Sequence, residues 1–220
     1  MFFYTLKRWL TKPRATIMRL RYRNTDQVPW TILESFNYSS AIRQAIKASK
    51  TEDILHSHEL SSDNMVIHVG ATTGDWAQQI QEKYNCQVQV YPMTVGWTWK
   101  LQNRFADSTC VYAHPNNLKM NHVRELLEEV EPREIDLLRI GSFGWKSGAE
   151  GGEYTLLPML IDSGLHKRCR QIMIQYNENW FMSHFRRYRI NRALNHTHKR
   201  VLNYPFVFEK WVRRDVLSGT

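Results

Sequence analysis

The sequence predicts an α/β fold with a doubly wound, mostly parallel sheet, and three observations support this fold class. Short apolar segments rich in Val and Ile alternate with segments of helical length over residues 65–176. Such alternation is typical of parallel strands that helices cover on both faces. A glycine turn follows the first apolar segment. No internal repeat replaces the alternation with a shorter structural unit.

Strands and helices are predicted in a regular order. Each strand is an apolar, β-branched run bounded by polar or turn residues, and each helix follows a turn. The predicted strands are 65–69, 87–91, 108–114, 135–140 and 170–176, with a last strand-like run over 203–214. The predicted helices are 75–84, 97–105, 121–130, 154–160 and 182–193.

Charge divides the chain into three parts. Residues 1–50 carry ten Lys and Arg against two acids, which gives +8. Residues 51–165 carry eight against sixteen, −8, and residues 166–220 carry twelve against three, +9. We therefore expect a basic N-terminal arm over 1–50 and one domain over 51–220. The basic ends are either solvated surface or a contact for an anionic partner or an anionic membrane surface.

The glycine turn over 70–74 is the candidate binding loop. Gly70 and Gly74 allow a close approach of the backbone to a ligand. The start of the following helix favours an anionic group. In a doubly wound sheet, this turn lies at the carboxyl end of the first strand, where ligands bind.

Several stretches together resemble the FkbM family of S-adenosylmethionine-dependent methyltransferases. VIHVGATTGDW is similar to that family's opening motif, D-V-G-A-x-x-G-D, and VQVYPM stands where the family has a strand ending in F-E-P. EIDLLRI and EGGEYTLLPMLIDSG are similar to I-D-L-L-K-I-D-V-E-G-A-E, split by an inserted GSFGWKSGA. The resemblance implies a Rossmann-like class I methyltransferase fold with S-adenosylmethionine as cofactor.

The resemblance also implies which residues form the site. Residues at matching positions would bind the cofactor: His68, Gly70, Ala71, Thr72, Gly74 and Tyr91. His68 and Tyr91 depart from the family, because an acid stands at each position there. Neutral His accepts a hydrogen bond without the charge, and Tyr cannot accept bidentately from a ribose. Arg139 replaces a Lys and so keeps the charge with a different geometry.

Two carboxylates of the E-G-x-E segment are the candidate catalytic groups. Glu150 or Glu153 would orient an acceptor hydroxyl or act as general base. The alternative is that Glu150 stabilises a helix N-terminus. The inserted loop, with Trp145 and Lys146 among glycines, is predicted to be either a lid or a surface loop.

We therefore expect a methyltransferase that methylates a hydroxyl on a sugar or small metabolite. The alternative is a pseudoenzyme that keeps the fold and acts as a binding or scaffold protein. No metal site is expected, since the His-x-His pairs at 56–58 and 196–198 lack further ligands at zinc spacing. The run HFRRYRINR is interpreted as an exposed basic helix face, so a nucleic-acid partner is disfavoured. A cytoplasmic location, with or without peripheral membrane contact, is expected because no apolar leader stands at residues 1–14.

Overall fold

A computed structural model describes the chain over residues 59–92, 95–115, 134–141, 152–176, 183–204 and 208–219. The predicted N-terminal arm, the predicted helix over 121–130 and most of the inserted loop lie outside these residues. The described strands are β1 Met65–Ala71, β2 Gln87–Pro92, β3 Val111–Ala113, β4 Ile135–Ile140, β5 Cys169–Ile174, β6 His198–Tyr204 and β7 Phe208–Arg213. The helices are α1 Asp75–Tyr84, α2 Val95–Arg104, α3 Glu153–Asp162, α4 Ser183–Leu194 and α5 Arg214–Ser218, with a 3₁₀ turn at Leu165–Arg168.

The seven strands form one sheet in the order β3-β2-β1-β4-β5-β7-β6. The neighbours from β3 to β5 pair in parallel, and β7 is antiparallel to both β5 and β6. The predicted doubly wound, mostly parallel sheet is confirmed. The chain builds one side of the sheet from β1 outward to β3 and then crosses β1 to begin the other side with β4.

Helices cover both faces because side chains alternate along each strand. Ile67 and Val69 of β1 belong to the apolar core with α3 and α4, whose members include Leu157 and Ile190. His68, between them in sequence, contacts Trp76 of α1. One face of β1 is thus buried under α3 and α4, and the other lies under α1. Each fully buried Leu or Ile contributes about 1.5–3 kcal/mol.

The last strands differ from their prediction. The sequence suggested one strand-like run over 203–214, but the chain forms a hairpin, in which Tyr204 pairs with Phe208. The segment HKRVLNY of β6 is polar because it is the edge strand of the sheet, and edge strands often carry charged residues. Its weak alternation therefore did not identify it as a strand.

A buried ion pair joins α4 to this hairpin. Arg187 of α4 donates to Glu209 of β7, and both side chains are almost fully buried. Glu209 also accepts from Asn191 and from the indole N–H of Trp211. A buried carboxylate with this many donors is satisfied, whereas loss of one partner would leave a charge without compensation.

Gly74 is packed against side chains of α2 and the residue after it, whereas Gly164, which has a similar φ, is not packed against other residues. Gly74→Ala should lower the free energy of unfolding by about 2–5 kcal/mol, from left-handed strain and overpacking. Its φ is +82°, and a Cβ there would lie 2.8 Å from side-chain atoms of Leu101 and Phe105. Gly164 has φ +78° with nothing within 4 Å, so Gly164→Ala should cost only the strain, about 1–2 kcal/mol. Equal losses in urea unfolding would contradict the packing role.

Breaking the buried pair should be costlier than removing it. Glu209→Ala should destabilise by about 3–5 kcal/mol, because Arg187 then keeps a buried charge without that carboxylate. The double variant Arg187→Met/Glu209→Leu should lose less, since no charge is stranded. A double-mutant cycle in urea tests this, and a double variant less stable than Glu209→Ala would contradict it.

Candidate functional site

The candidate site lies at the carboxyl edge of the sheet, where β1 stands between β2 and β4. After β1 the chain continues to β2 on one side of it, and after β3 it returns to β4 on the other side. Such a switch point leaves a crevice above the strand ends. The predicted loop 70–74 follows β1 at this position, as the sequence indicated.

Backbone contacts hold the first part of the turn at the end of β1. Gly70 adopts φ +81°, in the left-handed region that favours glycine. The Gly141 N–H, just after β4, donates to the Val69 carbonyl at 2.8 Å. A Cβ on Gly141 would lie 3.1 Å from the Gly70 carbonyl oxygen. The ends of β1 and β4 are therefore so close that a side chain at Gly141 would have to displace the Gly70 carbonyl by a few tenths of an ångström.

The residues between the two glycines differ in accessibility. Ala71 is buried, whereas Thr72 is partly exposed and Thr73 is exposed. Gly74 is buried against α2, so packing explains this glycine without a ligand. The part of the predicted loop that solvent reaches is consequently its middle, Thr72 and Thr73, whereas Gly70 and Ala71 are buried.

Asp75 is part of the structure of this loop. Its carboxylate accepts from Thr73 and forms a 2.6 Å ion pair with Arg104, the last residue of α2. Arg104 also donates to the Thr73 carbonyl at 2.6 Å. These contacts fix the start of α1 to α2 and direct the Asp75 charge toward Arg104.

His68 is buried and neutral in the middle of β1. Its ring meets the Trp76 ring edge-on, with centroids 5.0 Å apart. Burial and the positive charge of Arg139 hold the pKa of His68 well below its usual value. Its Nδ1 atom is buried and has no hydrogen-bond partner. The ring is therefore a neutral polar group with an unused nitrogen.

Arg139 lies beside His68, at the paired position on β4. Its guanidinium sits 4.4 Å from the centroid of the Trp76 ring. The residue is partly exposed as a whole, but its Nε and Nη1 atoms are inaccessible to solvent and have no hydrogen-bond partner. Burial lowers the pKa of Arg139 to about 9. Among the described residues no carboxylate forms an ion pair with it.

The Arg139 charge is poorly compensated. A cation–π contact contributes about 0.5–2 kcal/mol, whereas burying an ion costs several kcal/mol even after relaxation. Sequence reasoning marked Arg139 only as a changed Lys and passed over Trp76. Strand alternation could not indicate their contact, because Trp76 lies on α1 and Arg139 on β4.

Tyr91 lies on the other face of the sheet from His68. It pairs with Val69 in register and belongs to the core under α3 and α4. Its hydroxyl donates to Gln89 Oε1 at 3.2 Å, and its ring stacks on His114 with centroids 3.8 Å apart. Burial lowers the pKa of His114 to about 4. The structure thus brings His68 and Tyr91 to neighbouring strands but not to one face.

The predicted catalytic acids are placed only in part. Glu153 is the first residue of α3, and its side chain is fully buried. Glu150 and the inserted loop, with Trp145 and Lys146, lie outside the described residues. The catalytic roles of Glu150 and Glu153 therefore stay predictions.

Other groups of ligating residues are absent where the structure describes the chain. No cluster of three or more His, Cys, Asp or Glu side chains is placed to hold a metal ion within those ranges. The same residues contain no helix of a length and apolarity that could cross a membrane.

Solved structures similar to this chain include methyltransferases. An rRNA methylase from Streptococcus thermophilus has a TM-score of 0.52 and 11% identity, over 74% of this chain and 93% of that one. The fibrillarin pre-rRNA processing protein of Methanococcus jannaschii gives 0.52 and 14%, over 76% of each chain. A proposed methyltransferase from Streptococcus mutans in complex with S-adenosylhomocysteine (SAH) gives 0.56 and 8%, over 74% and 96%. At these identities the likeness establishes the fold, a Rossmann-like class I methyltransferase fold.

Sequence comparison adds no family. No protein-family model matches the chain, and no curated protein sequence matches it. The resemblance to the FkbM family accordingly stays a prediction, while the broader methyltransferase fold is established.

The expectation that a nucleic-acid partner is disfavoured was wrong. Proteins with this fold include an rRNA methylase and a pre-rRNA processing protein. The sequence argument treated the run HFRRYRINR as an ordinary exposed helix face, and nothing in the sequence separated that interpretation from an RNA contact.

Neutral His68 should make stability depend on pH. A histidine whose pKa is lowered by folding stabilises the protein above its unfolded pKa, near 6.5, and this stabilisation is lost as the pH falls. The free energy of unfolding should therefore decrease from pH 7 to pH 5, by at most about 2 kcal/mol for each such histidine. His68→Asn should show a smaller decrease. His196→Asn, at an exposed position, is the matched control, and identical pH profiles for His68→Asn and wild type would exclude His68 as a contributor.

Proposed function

We propose that this protein is a methyltransferase that uses S-adenosylmethionine. The observation that carries the proposal is the backbone turn at the end of β1, which lies at the switch point of the sheet. Both the position of the turn and its close approach to Gly141 favour a ligand held by backbone groups.

The residues present fit the cofactor in part of its structure. Gly70, Ala71 and Thr72 would face it with backbone groups, and Gly141 packs closely beside Gly70 without a side chain. Arg139, which is partly exposed, and the neutral His68 ring would contribute polar groups beside the turn. Carboxylates at positions 68 and 91 are lacking, so the ammonium and the ribose would meet neutral groups. The protein therefore offers the cofactor backbone groups and the positive charge of Arg139.

S-adenosylmethionine supplies an electrophilic methyl group when it is bound. The protein's contribution is to hold an acceptor in line with that group and to exclude water, so positioning dominates. A hydroxyl acceptor is the finer part of the proposal and rests on the resemblance of Glu150 and Glu153 to the family's acids. Glu153 would act as a base only after α3 or its preceding loop exposes it, because its side chain is buried.

The exposed face of α4 supports RNA as the acceptor. Phe185, Tyr188, Arg189 and Arg192 are all exposed and stand at i, i+3, i+4 and i+7, so they share one face. Phe185 and Tyr188 are 53% and 57% exposed. Helix α4 contains no acidic residue. Aromatic rings that stack on bases, beside arginines that contact phosphates, suit a single strand.

A non-catalytic binding protein is the second candidate, and the neutral residues His68 and Tyr91 favour it. A charge-assisted hydrogen bond contributes about 1.5–3 kcal/mol. Loss of two such bonds to the cofactor could weaken binding by about a hundredfold or more. Such a protein would keep the fold and the α4 face but not the cofactor.

Calorimetric titration with S-adenosylmethionine and SAH separates the two candidates. We expect micromolar binding of both if the protein is a methyltransferase. Gly141→Ala should weaken it, because the new methyl group presses on the Gly70 carbonyl. Gly164→Ala, distant from the turn in sequence and open to solvent, should leave it unchanged. Absence of binding at millimolar ligand would reject the enzyme and leave the binding protein.

We expect the arginines and the aromatic residues of α4 to contribute separately to RNA binding, the first through charge and the second through stacking. Arg189→Ala/Arg192→Ala should lower the slope of log affinity against log salt by about 1.4, if each contacts one phosphate. Phe185→Ala/Tyr188→Ala should weaken binding by about tenfold or more at an unchanged slope. Fluorescence anisotropy with a labelled single-stranded RNA measures both.

Lys83→Ala/Lys167→Ala removes the same charge from other exposed positions and is the control for the arginine variant. A control variant that lowers the slope equally would show that net charge, and not the α4 face, governs binding.

A further inference from the structure

The strongest unexplained feature of the site is the uncompensated positive charge at Arg139. Two of its nitrogens, Nε and Nη1, are buried without hydrogen-bond partners. Burial lowers the pKa of Arg139. The neighbouring His68 carries no negative charge and has its own unused Nδ1. A polar cluster of this kind is costly unless a group beyond the residues that the structure describes completes it.

The surroundings of this cluster favour an anion. Trp76, which supports the guanidinium, is the second residue of α1. The N-terminus of α1 has no side-chain hydrogen-bond cap, and the peptide N–H groups of a helix start attract negative charge. Asp75, the first residue of α1, is held by Thr73 and Arg104. A cation, a neutral polar ring and a helix start thus converge beside the turn after β1.

We propose that Arg139, with His68 beside it, binds the carboxylate of the amino-acid part of the cofactor. The inference rests on the proposed function. An acid at position 68 would hold the ammonium of that amino acid, whereas this chain offers a planar cation, which matches a carboxylate by two parallel hydrogen bonds. The site therefore recognises the opposite end of the same zwitterion.

Two ligands that differ only in the carboxylate test the proposal. SAH carries it, and S-adenosyl-3-thiopropylamine keeps the ammonium and lacks the carboxylate. Calorimetry on the full chain should give about ten- to a hundredfold tighter binding of SAH. In Arg139→Met the preference should fall to within about threefold, and Arg139→Lys should keep an intermediate preference because it keeps the charge.

Arg170→Met is the matched control. Arg170 lies at the other end of β5 from the site and pairs with Asp136, so its removal should leave the preference unchanged. The melting temperature gives an independent measurement without ligand. Arg139→Met should raise Tm by about 2 °C or more, because it removes a buried charge that has no partner.

The outcomes separate the two proposals. Equal binding of SAH and S-adenosyl-3-thiopropylamine by the wild type would overturn the role of Arg139 and keep the methyltransferase. A lower Tm for Arg139→Met would also overturn it, since the guanidinium would then have a partner in the free protein. No binding of SAH at all would reject the proposed function, and the carboxylate site with it.

Discussion

Strand β1 is hydrogen-bonded in parallel to β2 on one side and to β4 on the other, and this double pairing is the constraint from which the site follows. It brings the carboxyl ends of β2, β1 and β4 together, and the backbone after β1 turns there to begin α1. The turn has little room, because Gly141 donates to Val69 immediately beside it. Glycine at 141 fits that close packing, and glycine at 70 adopts the left-handed φ of the turn.

The chain buries two arginines in opposite ways. Arg187 pairs with Glu209, and the same carboxylate also accepts from Asn191 and Trp211. This pair lies on the side of the sheet away from β1, at β7. Arg139 has a tryptophan ring and a neutral histidine beside it. A paired buried charge positions helix α4 on the hairpin, whereas an unpaired one is costly to the free protein. That difference is the reason why we assign a structural role to Arg187 and propose a ligand for Arg139.

The sequence predicted the sheet better than the site. Alternating apolar strands and helices determine the fold because each strand must be covered on both faces, and the glycine turn was placed correctly for the same reason. The edge strand β6 was missed, since solvent exposure allows it a polar sequence. The facing of side chains was not considered, so Tyr91 was grouped with His68 although the pleat separates them. Gly74 was assigned to the ligand, but the contact that excludes a side chain comes from Leu101 and Phe105, which are far away in sequence.

The insertion of β7 between β5 and β6 has a consequence for synthesis on the ribosome. Strand β5 cannot gain its second neighbour until the chain has been made past Phe208–Arg213 and the hairpin has folded back. Until then α4 carries Arg187 without Glu209, and a strand edge rich in apolar residues stays open. Such an edge invites pairing with other chains. A nascent chain that stalls shortly before Glu209 would thus be prone to aggregation, although its parallel strands β1 to β5 have already been synthesised.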